Sequence, residues 1–178
     1  MMKKVIVISS TPRKGGNSER LAEQFYKGAR DAGNAAEIVY LRDHELHCCR
    51  GCYACGKTGR CIQNDGMNEI AQKLTNADVI LFATPVYFYT MSAQLKIMID
   101  RLVPCYTKIH ADIYMICTAW DPNIKNLALT LESIRGCTRD CFEDCTEKGA
   151  LAVGDVYEVG AVEKRPEMLS AYEMGRNC

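Results

Sequence analysis

One stretch of this chain is suited to burial on both sides at once. Ala77-Asp78-Val79-Ile80-Leu81-Phe82-Ala83 is nearly continuous in apolar residues. That is the pattern of a central strand in a parallel sheet whose two faces are covered. Around it, strand-type runs alternate with helical patterns along the whole chain. Strands are expected at Val5–Ser9, Ala35–Leu41, Ala77–Ala83, Ala111–Thr118 and Ala150–Val153. Helices are expected at about Asn17–Ala32, Met67–Thr75, Ser92–Leu102, Ile124–Arg139 and Glu167–Gly175, with Ser92 as an N-cap. Such alternation implies an α/β fold with helices on both faces of a parallel sheet. Ligands of these sheets bind beyond the carboxyl ends of the strands, where the strand order reverses. The loops after strands one, three and four are therefore the ones to read for function.

The first of them is Ser9-Ser10-Thr11-Pro12-Arg13-Lys14-Gly15-Gly16-Asn17-Ser18. Strand, then a loop rich in hydroxyls and glycine, then helix is the architecture of a phosphate cradle. Hydroxyls donate, glycines let backbone N–H groups close around an anion, and the helix start adds its positive end. The same residues also serve as plain helix caps, so on this loop alone both readings stand. It is neither the Gly-x-Gly-x-x-Gly of dinucleotide binders nor the Gly-Lys-Ser/Thr of nucleoside triphosphatases.

Composition narrows the classes. A length of 178 residues fits one domain over 1–178. The 22 basic and 22 acidic residues cancel, which gives no support to nucleic-acid binding. No apolar run approaches the ~20 residues of a membrane helix, and the N-terminus runs straight into a strand with no signal peptide expected, so a cytoplasmic location is the expectation. Eleven cysteines are many for such a chain. A secreted disulfide scaffold would usually be shorter and poorer in βα pattern. Metal binding, redox work or simple packing remain for these thiols.

After strand three comes Thr84-Pro85-Val86-Tyr87-Phe88-Tyr89-Thr90-Met91-Ser92-Ala93-Gln94-Leu95-Lys96. Its three consecutive aromatics suit a platform beside a flat ring, or a subunit contact. Taken together, Ser10-Thr11-Pro12-Arg13, Gly16-Asn17-Ser18, Pro85-Val86-Tyr87-Phe88, Met91 to Lys96 and Asp100-Arg101-Leu102 resemble the flavodoxin-like NAD(P)H-dependent FMN reductases, and within them the iron–sulfur flavoprotein branch. The resemblance covers about residues 3–105. It implies a three-layer flavodoxin-like sandwich with a five-stranded parallel sheet of order 2-1-3-4-5. It also implies FMN as cofactor and NAD(P)H as reductant. Ser10, Thr11, Arg13, Asn17 and Ser18 would hold the phosphate, and Pro85, Val86, Tyr87 and Phe88 would line the flavin. The family often carries glycine where strand four ends. This chain has Thr118-Ala119-Trp120-Asp121, so Thr118 and Trp120 are the expected third wall, with a cover for the sheet as the alternative role of Trp120. The resemblance further implies a homodimer or homotetramer. No catalytic side chain stands out, which fits chemistry carried by a cofactor.

A cysteine-rich loop occupies 48–61, with Cys49-x-x-Cys52-x-x-Cys55 followed by Cys61, and Cys48 adjacent. Four thiolates at compact spacing can wrap a [4Fe–4S] cluster. Zinc is a competing occupant, and empty or redox-active thiols are a third reading. The spacing resembles that of the iron–sulfur flavoproteins. The expected electron acceptor is then a small molecule or a ferredoxin-like protein, with no nucleic-acid or membrane partner. Cys137, Cys141 and Cys145 form a second group, in which residues four apart share a helix face. Cys105, Cys117 and Cys178 look incidental, and His44 and His47 read as polar residues of an exposed turn.

Overall fold

The computed structural model describes all 178 residues. Five parallel strands form one sheet in the order β2-β1-β3-β4-β5, as expected. They are β1 (Lys4–Ser9), β2 (Ala35–Tyr40), β3 (Val79–Pro85), β4 (Asp112–Thr118) and β5 (Thr146–Val153). The helices are α1 (Asn17–Asp31), α2 (Cys55–Thr58), α3 (Met67–Thr75), α4 (Ala93–Asp100), α5 (Ala128–Thr138) and α6 (Glu167–Arg176).

Two apolar layers flank the sheet. Val5, Val7, Val79, Leu81 and Ile116 point to one face, where Leu21, Phe25 and Ala29 of α1 and Ala171 of α6 cover them. Ile6, Ile8, Ile80, Phe82 and Met115 point to the other, under Ile70 and Leu74 of α3, Leu95 and Met98 of α4 and Ile134 of α5. Alternate residues of β1 and β3 thus serve opposite layers, which is why these strands are apolar end to end. α1 and α6 touch through glycine. A Cβ on Gly28 would lie 2.0 Å from the Tyr172 carbonyl oxygen, and one on Gly175 would lie 1.9 Å from that of Phe25.

The boundaries differ from the sequence expectation in four informative places. β3 begins at Val79 rather than Ala77, because Asp78 is used as a bracket: its carboxylate accepts from the Lys4 N–H at 2.7 Å. β3 also runs on to Pro85, which pairs with Thr118. Proline lacks an N–H, which is harmless at a strand end. β5 begins at Thr146, four residues before Ala150. It is an edge strand and mostly exposed at its start, so it needs no apolar run there. The segment expected as one helix from Ile124 opens as a 3₁₀ turn (Ile124–Leu127), capped by the Asn123 side chain, before α5 begins. No helix is long and apolar enough to cross a membrane.

Candidate functional site

Three serine and threonine side chains tie the carboxyl ends of β1 and β3 to the start of α4. The Ser10 hydroxyl donates to the Ala83 carbonyl at 2.9 Å, and the Ser92 hydroxyl lies 3.0 Å from both the carbonyl and the hydroxyl oxygen of Ser10. The Ser92 N–H donates to the Thr84 hydroxyl at 3.0 Å. Ser92 also caps α4, as expected, accepting from the Leu95 N–H. Ser10 is therefore a buried strut. Its expected role in holding an anion is corrected: both hydroxyl functions are spent inside the core.

Above this joint lies a cleft of about 200 Å³. Thr11, Arg13, Asn17 and Ser18 line it from the first loop, Pro85, Val86 and Tyr87 from the second, and Thr118 and Trp120 from the third. Nine of the eleven residues expected at the cofactor site meet here. The loop folds this way because Gly15 takes a left-handed conformation (φ +72°) and Gly16 has no side chain. A Cβ on Gly16 would lie 2.9 Å from the Thr11 hydroxyl oxygen. The backbone thus turns tightly into α1, and the first N–H groups of the helix have no carbonyl partner within it.

The Ser18 hydroxyl is the telling atom. It is buried without a hydrogen-bond partner, on a residue that lines the cleft. Buried hydroxyls are nearly always paired, and this one stands at a helix N-terminus, where anions are favoured. Arg13 stands at the same mouth, half-committed: one guanidinium nitrogen donates to the Tyr157 carbonyl at 3.2 Å while the group stacks on the Tyr157 ring. Glu19 supplies a buried carboxylate close by, accepting from the Gly15 N–H at 3.0 Å, but Arg42 pairs with it and offsets its charge. Asn17 lines the cleft with its side chain already engaged. Its amide donates to the Glu158 carbonyl and its oxygen accepts from the Val162 N–H. It clamps the loop after β5 onto the first loop.

Phe88 is the second correction. It lies outside the cleft and is 99% exposed. Tyr87 and Thr90 exchange backbone hydrogen bonds at 2.9 and 3.1 Å, so Phe88 and Tyr89 form the tip of a tight turn. Both have positive φ, 49° and 63°, in the manner of a type I′ turn. Only Tyr87 of the three aromatics reaches the cleft. Sequence reasoning missed the fourth wall, Val156, Tyr157 and Val159 after β5. The signal was available: Gly154-Asp155 follows a strand, and the rule of carboxyl-end loops applies to it as to the others.

Cys49, Cys52, Cys55 and Cys61 line one small cavity of about 30 Å³ together with Arg101. α2 carries Cys55 within this loop, a turn that no apolar pattern announces. The side chains are not gathered closely enough for any three to grip an ion. The void as it stands holds about one water-sized occupant, so a cube of iron and sulfide would need the exposed loop to part. The donor chemistry nonetheless fits a thiophilic centre, since four cysteines line one void. Arg101 fixes the loop to the scaffold. It donates to the Asp65 carboxylate (2.9 Å from Nη2, with Nη1 also paired), to the His47 carbonyl at 3.0 Å and to the Cys61 sulfur at 3.1 Å. Burial pushes the Cys61 thiol up, but the Gln63 backbone and the Arg101 guanidinium outweigh it and hold the thiol below its ordinary value. Asp65 follows the same logic: burial raises it, and Arg101 and the His47 N–H bring it below the usual carboxylate range.

The second cysteine group is of another kind. The Cys141 N–H donates to the Cys137 carbonyl at 3.2 Å, so the expected neighbourhood exists. Burial, then repulsion from Cys141 and Cys145, pushes the Cys137 thiol up to about 12. It remains a thiol and packs as a small apolar group.

A parallel sheet of this order, with a cleft at the β1–α1 turn where the strand order reverses, is a flavodoxin-like arrangement. Residues 3–115 match the family of NADPH-dependent FMN reductases, and the chain belongs to that family. Among curated relatives, an iron–sulfur flavoprotein of Methanocaldococcus jannaschii is 41% identical over 101 residues, which is 57% of this chain and 52% of that protein. One from Archaeoglobus fulgidus is 33% identical over 101 residues, 57% of this chain and 46% of that protein. The chain thus spans about half the length of these relatives. Among solved structures, an NAD(P)H:quinone oxidoreductase from Methanothermobacter marburgensis superposes with a TM-score of 0.75 at 18% identity, covering 99% of this chain and 96% of that one. An azoreductase from Bacillus anthracis gives 0.76 at 16% identity, covering 99% of this chain and all of that one. Both support the fold.

Proposed function

We propose that the chain binds FMN in the cleft between the loops after β1, β3, β4 and β5 and works as an NAD(P)H-dependent oxidoreductase. The unpartnered Ser18 hydroxyl beside Gly16 and Arg13 carries this reading. It provides the donor set for a phosphate and leaves one buried donor unexplained without one. Tyr87 and Trp120 offer flat apolar faces for the ring, and the Val86 N–H is held to the Thr118 carbonyl at 2.8 Å, which fixes the two loops together. When bound, the flavin supplies acceptance of two electrons from a reduced nicotinamide and their onward release. The protein's part is to bind, orient and partly cover it. A volume of about 200 Å³ is below the ~300–1,000 Å³ of pockets that enclose a drug-sized ligand. A mononucleotide seated here therefore keeps one side open to a reductant or to a second chain.

The four cysteines carry the finer half of the reading. Cys49, Cys52, Cys55 and Cys61 would hold a [4Fe–4S] cluster, which supplies one-electron relay. The relatives named iron–sulfur flavoproteins support this assignment. It also supports a second reading, an electron carrier between ferredoxin-like partners with no direct nicotinamide chemistry. Anaerobic titration of the full chain with FMN, followed by flavin absorbance and fluorescence, tests the first step. Saturable binding with one flavin per chain is expected, and no binding overturns the function. Mixing the loaded protein with NAD(P)H and, separately, with reduced ferredoxin tells reductase from carrier by which one bleaches the flavin rapidly.

A further inference from the structure

Arg101 is the only buried cation of the chain, 2% exposed. Cations are rarely buried unless paired, and pairing is usually enough to explain them. Asp65 supplies that pairing here. Two features go beyond what the pair needs. Nη2 donates to the Cys61 sulfur at 3.1 Å as well as to Asp65, and Nε is buried with no partner at all. The guanidinium also forms part of the wall of the cavity lined by Cys49, Cys52, Cys55 and Cys61. The other charged groups on that wall are placed differently. Arg50 is exposed, and the Asp100 carboxylate is taken by Lys96 on its own helix.

Four thiolates around a zinc ion or a [4Fe–4S] core leave a net dianion. A dianion at the edge of the core needs a counter-charge. We propose that Arg101 is the counter-charge and positioning residue of a tetrathiolate centre at Cys49, Cys52, Cys55 and Cys61, donating to the Cys61 sulfur and turning its idle Nε–H toward the centre. The proposal rests on the cluster reading of this loop. In it Asp65 does not compete with the centre for Arg101. It holds the fork in place so that one arm is always presented to sulfur, as outer partners do at metal sites. Hydrogen bonds and positive charge at cluster sulfurs favour the reduced state and raise the potential.

The test uses the full chain, reconstituted anaerobically with ferrous iron and sulfide, as wild type, Arg101→Lys and Arg101→Gln. Iron and sulfide content, midpoint potential by dye-mediated spectral titration, and the rate of iron loss to a chelator are measured on each. Arg101→Gln is expected to shift the potential downward and to lose iron at least tenfold faster, with Arg101→Lys in between. Because Arg101→Gln leaves Asp65 buried without a partner, the double variant Arg101→Gln with Asp65→Asn, which removes both charges, is carried alongside. Because Asp65→Asn takes away a negative charge at the same time, it is expected to show a smaller downward shift than Arg101→Gln alone while still losing iron faster than wild type. Variants that load iron with an unchanged potential and an unchanged rate of loss would make Arg101 a strut only, and would overturn the proposal. Wild-type chain that takes up no iron and sulfide would overturn the cluster reading itself, and the proposal with it.

Discussion

The Ser18 hydroxyl is buried without a partner, an arrangement that costs about 1–3 kcal/mol. A phosphate oxygen in the cleft would recover that cost. Removing the hydroxyl should therefore separate two quantities that usually move together. Ser18→Ala is expected to leave the thermal stability of the free protein unchanged or slightly higher. FMN affinity should fall roughly tenfold, since a hydrogen bond to a charged group contributes about 1.5–3 kcal/mol. Arg13→Ala should weaken FMN by about 10–100-fold on the same scale. It also gives up the contact to Tyr157, so its free form should melt slightly lower. Calorimetric melting and flavin titration of both variants check this. Equal affinities for wild type and both variants would remove the phosphate from this loop. Ser10, a neighbour of the same chemical type, was indistinguishable from these residues in the sequence. Which of these residues lines the cleft and which is bonded to Ser92 depends on the register of β1 against β3, and no local pattern encodes that.

At the scale of elements, the strands and helices were legible because their apolar residues recur with the right period, and β1, α3 and β4 lie within a residue or so of the sequence expectation. Elements held by polar contacts were not. The first half of β5 is Thr-Glu-Lys-Gly, and the tip of the loop after β3 is Phe88-Tyr89. A type I′ turn is normally announced by Asn-Gly or Asp-Gly. Phe88-Tyr89 carries no such cue, so the aromatics read as a ring platform. A non-glycine residue in this conformation is disfavoured by about 1–2 kcal/mol. Phe88→Gly is accordingly expected to raise the melting temperature by a few degrees while leaving FMN affinity unchanged, because Phe88 is outside the cleft. A large loss of FMN affinity would place the ring in contact with the cofactor after all. The crossing of α1 and α6 should be much less forgiving. A methyl group on Gly28 meets the Tyr172 carbonyl at 2.0 Å, and backbone cannot move aside as a side chain can. Gly28→Ala is expected to destabilise by about 1–3 kcal/mol or more, seen as a lower urea midpoint with an unchanged slope.

For the whole molecule, the Asp65–Arg101 pair ties a loop with little regular structure to the sheet-and-helix scaffold. The carboxyl of Asp65 ionises more easily in the folded protein than in the unfolded chain, where its value is about 3.9. The unfolded state therefore binds more protons as acid is added. The stabilisation is fully present above the unfolded value and is lost as pH falls through the folded one. Stability measured by urea unfolding should be flat for this group near pH 6 and decline below about pH 4. Asp65→Asn, with Arg101 left buried and unpaired, should be about 3–5 kcal/mol less stable at pH 6 and should lose less on acidification. Parallel acid declines in wild type and variant would show that other carboxylates account for it. The position of this pair in space was not legible from the sequence. Asp65 and Arg101 are far apart along the chain and share no periodic pattern, although each lies in a segment that already stood out.

Between the serine stitch at Ser92 and the guanidinium at Arg101 lies only α4, eight residues long, a rod of about 12 Å at 1.5 Å per residue. One end is bonded to the loop after β1 and the other to the cysteine loop, so this helix works as a spacer gauge between the two. Its composition is free to drift as long as the buried side stays apolar. Its residue count is not. One inserted residue would swing the far end by about 100° and carry Arg101 away from Cys61 while leaving the cleft intact. The spacing between the cleft and the cysteine loop is thereby written into the chain as an integer.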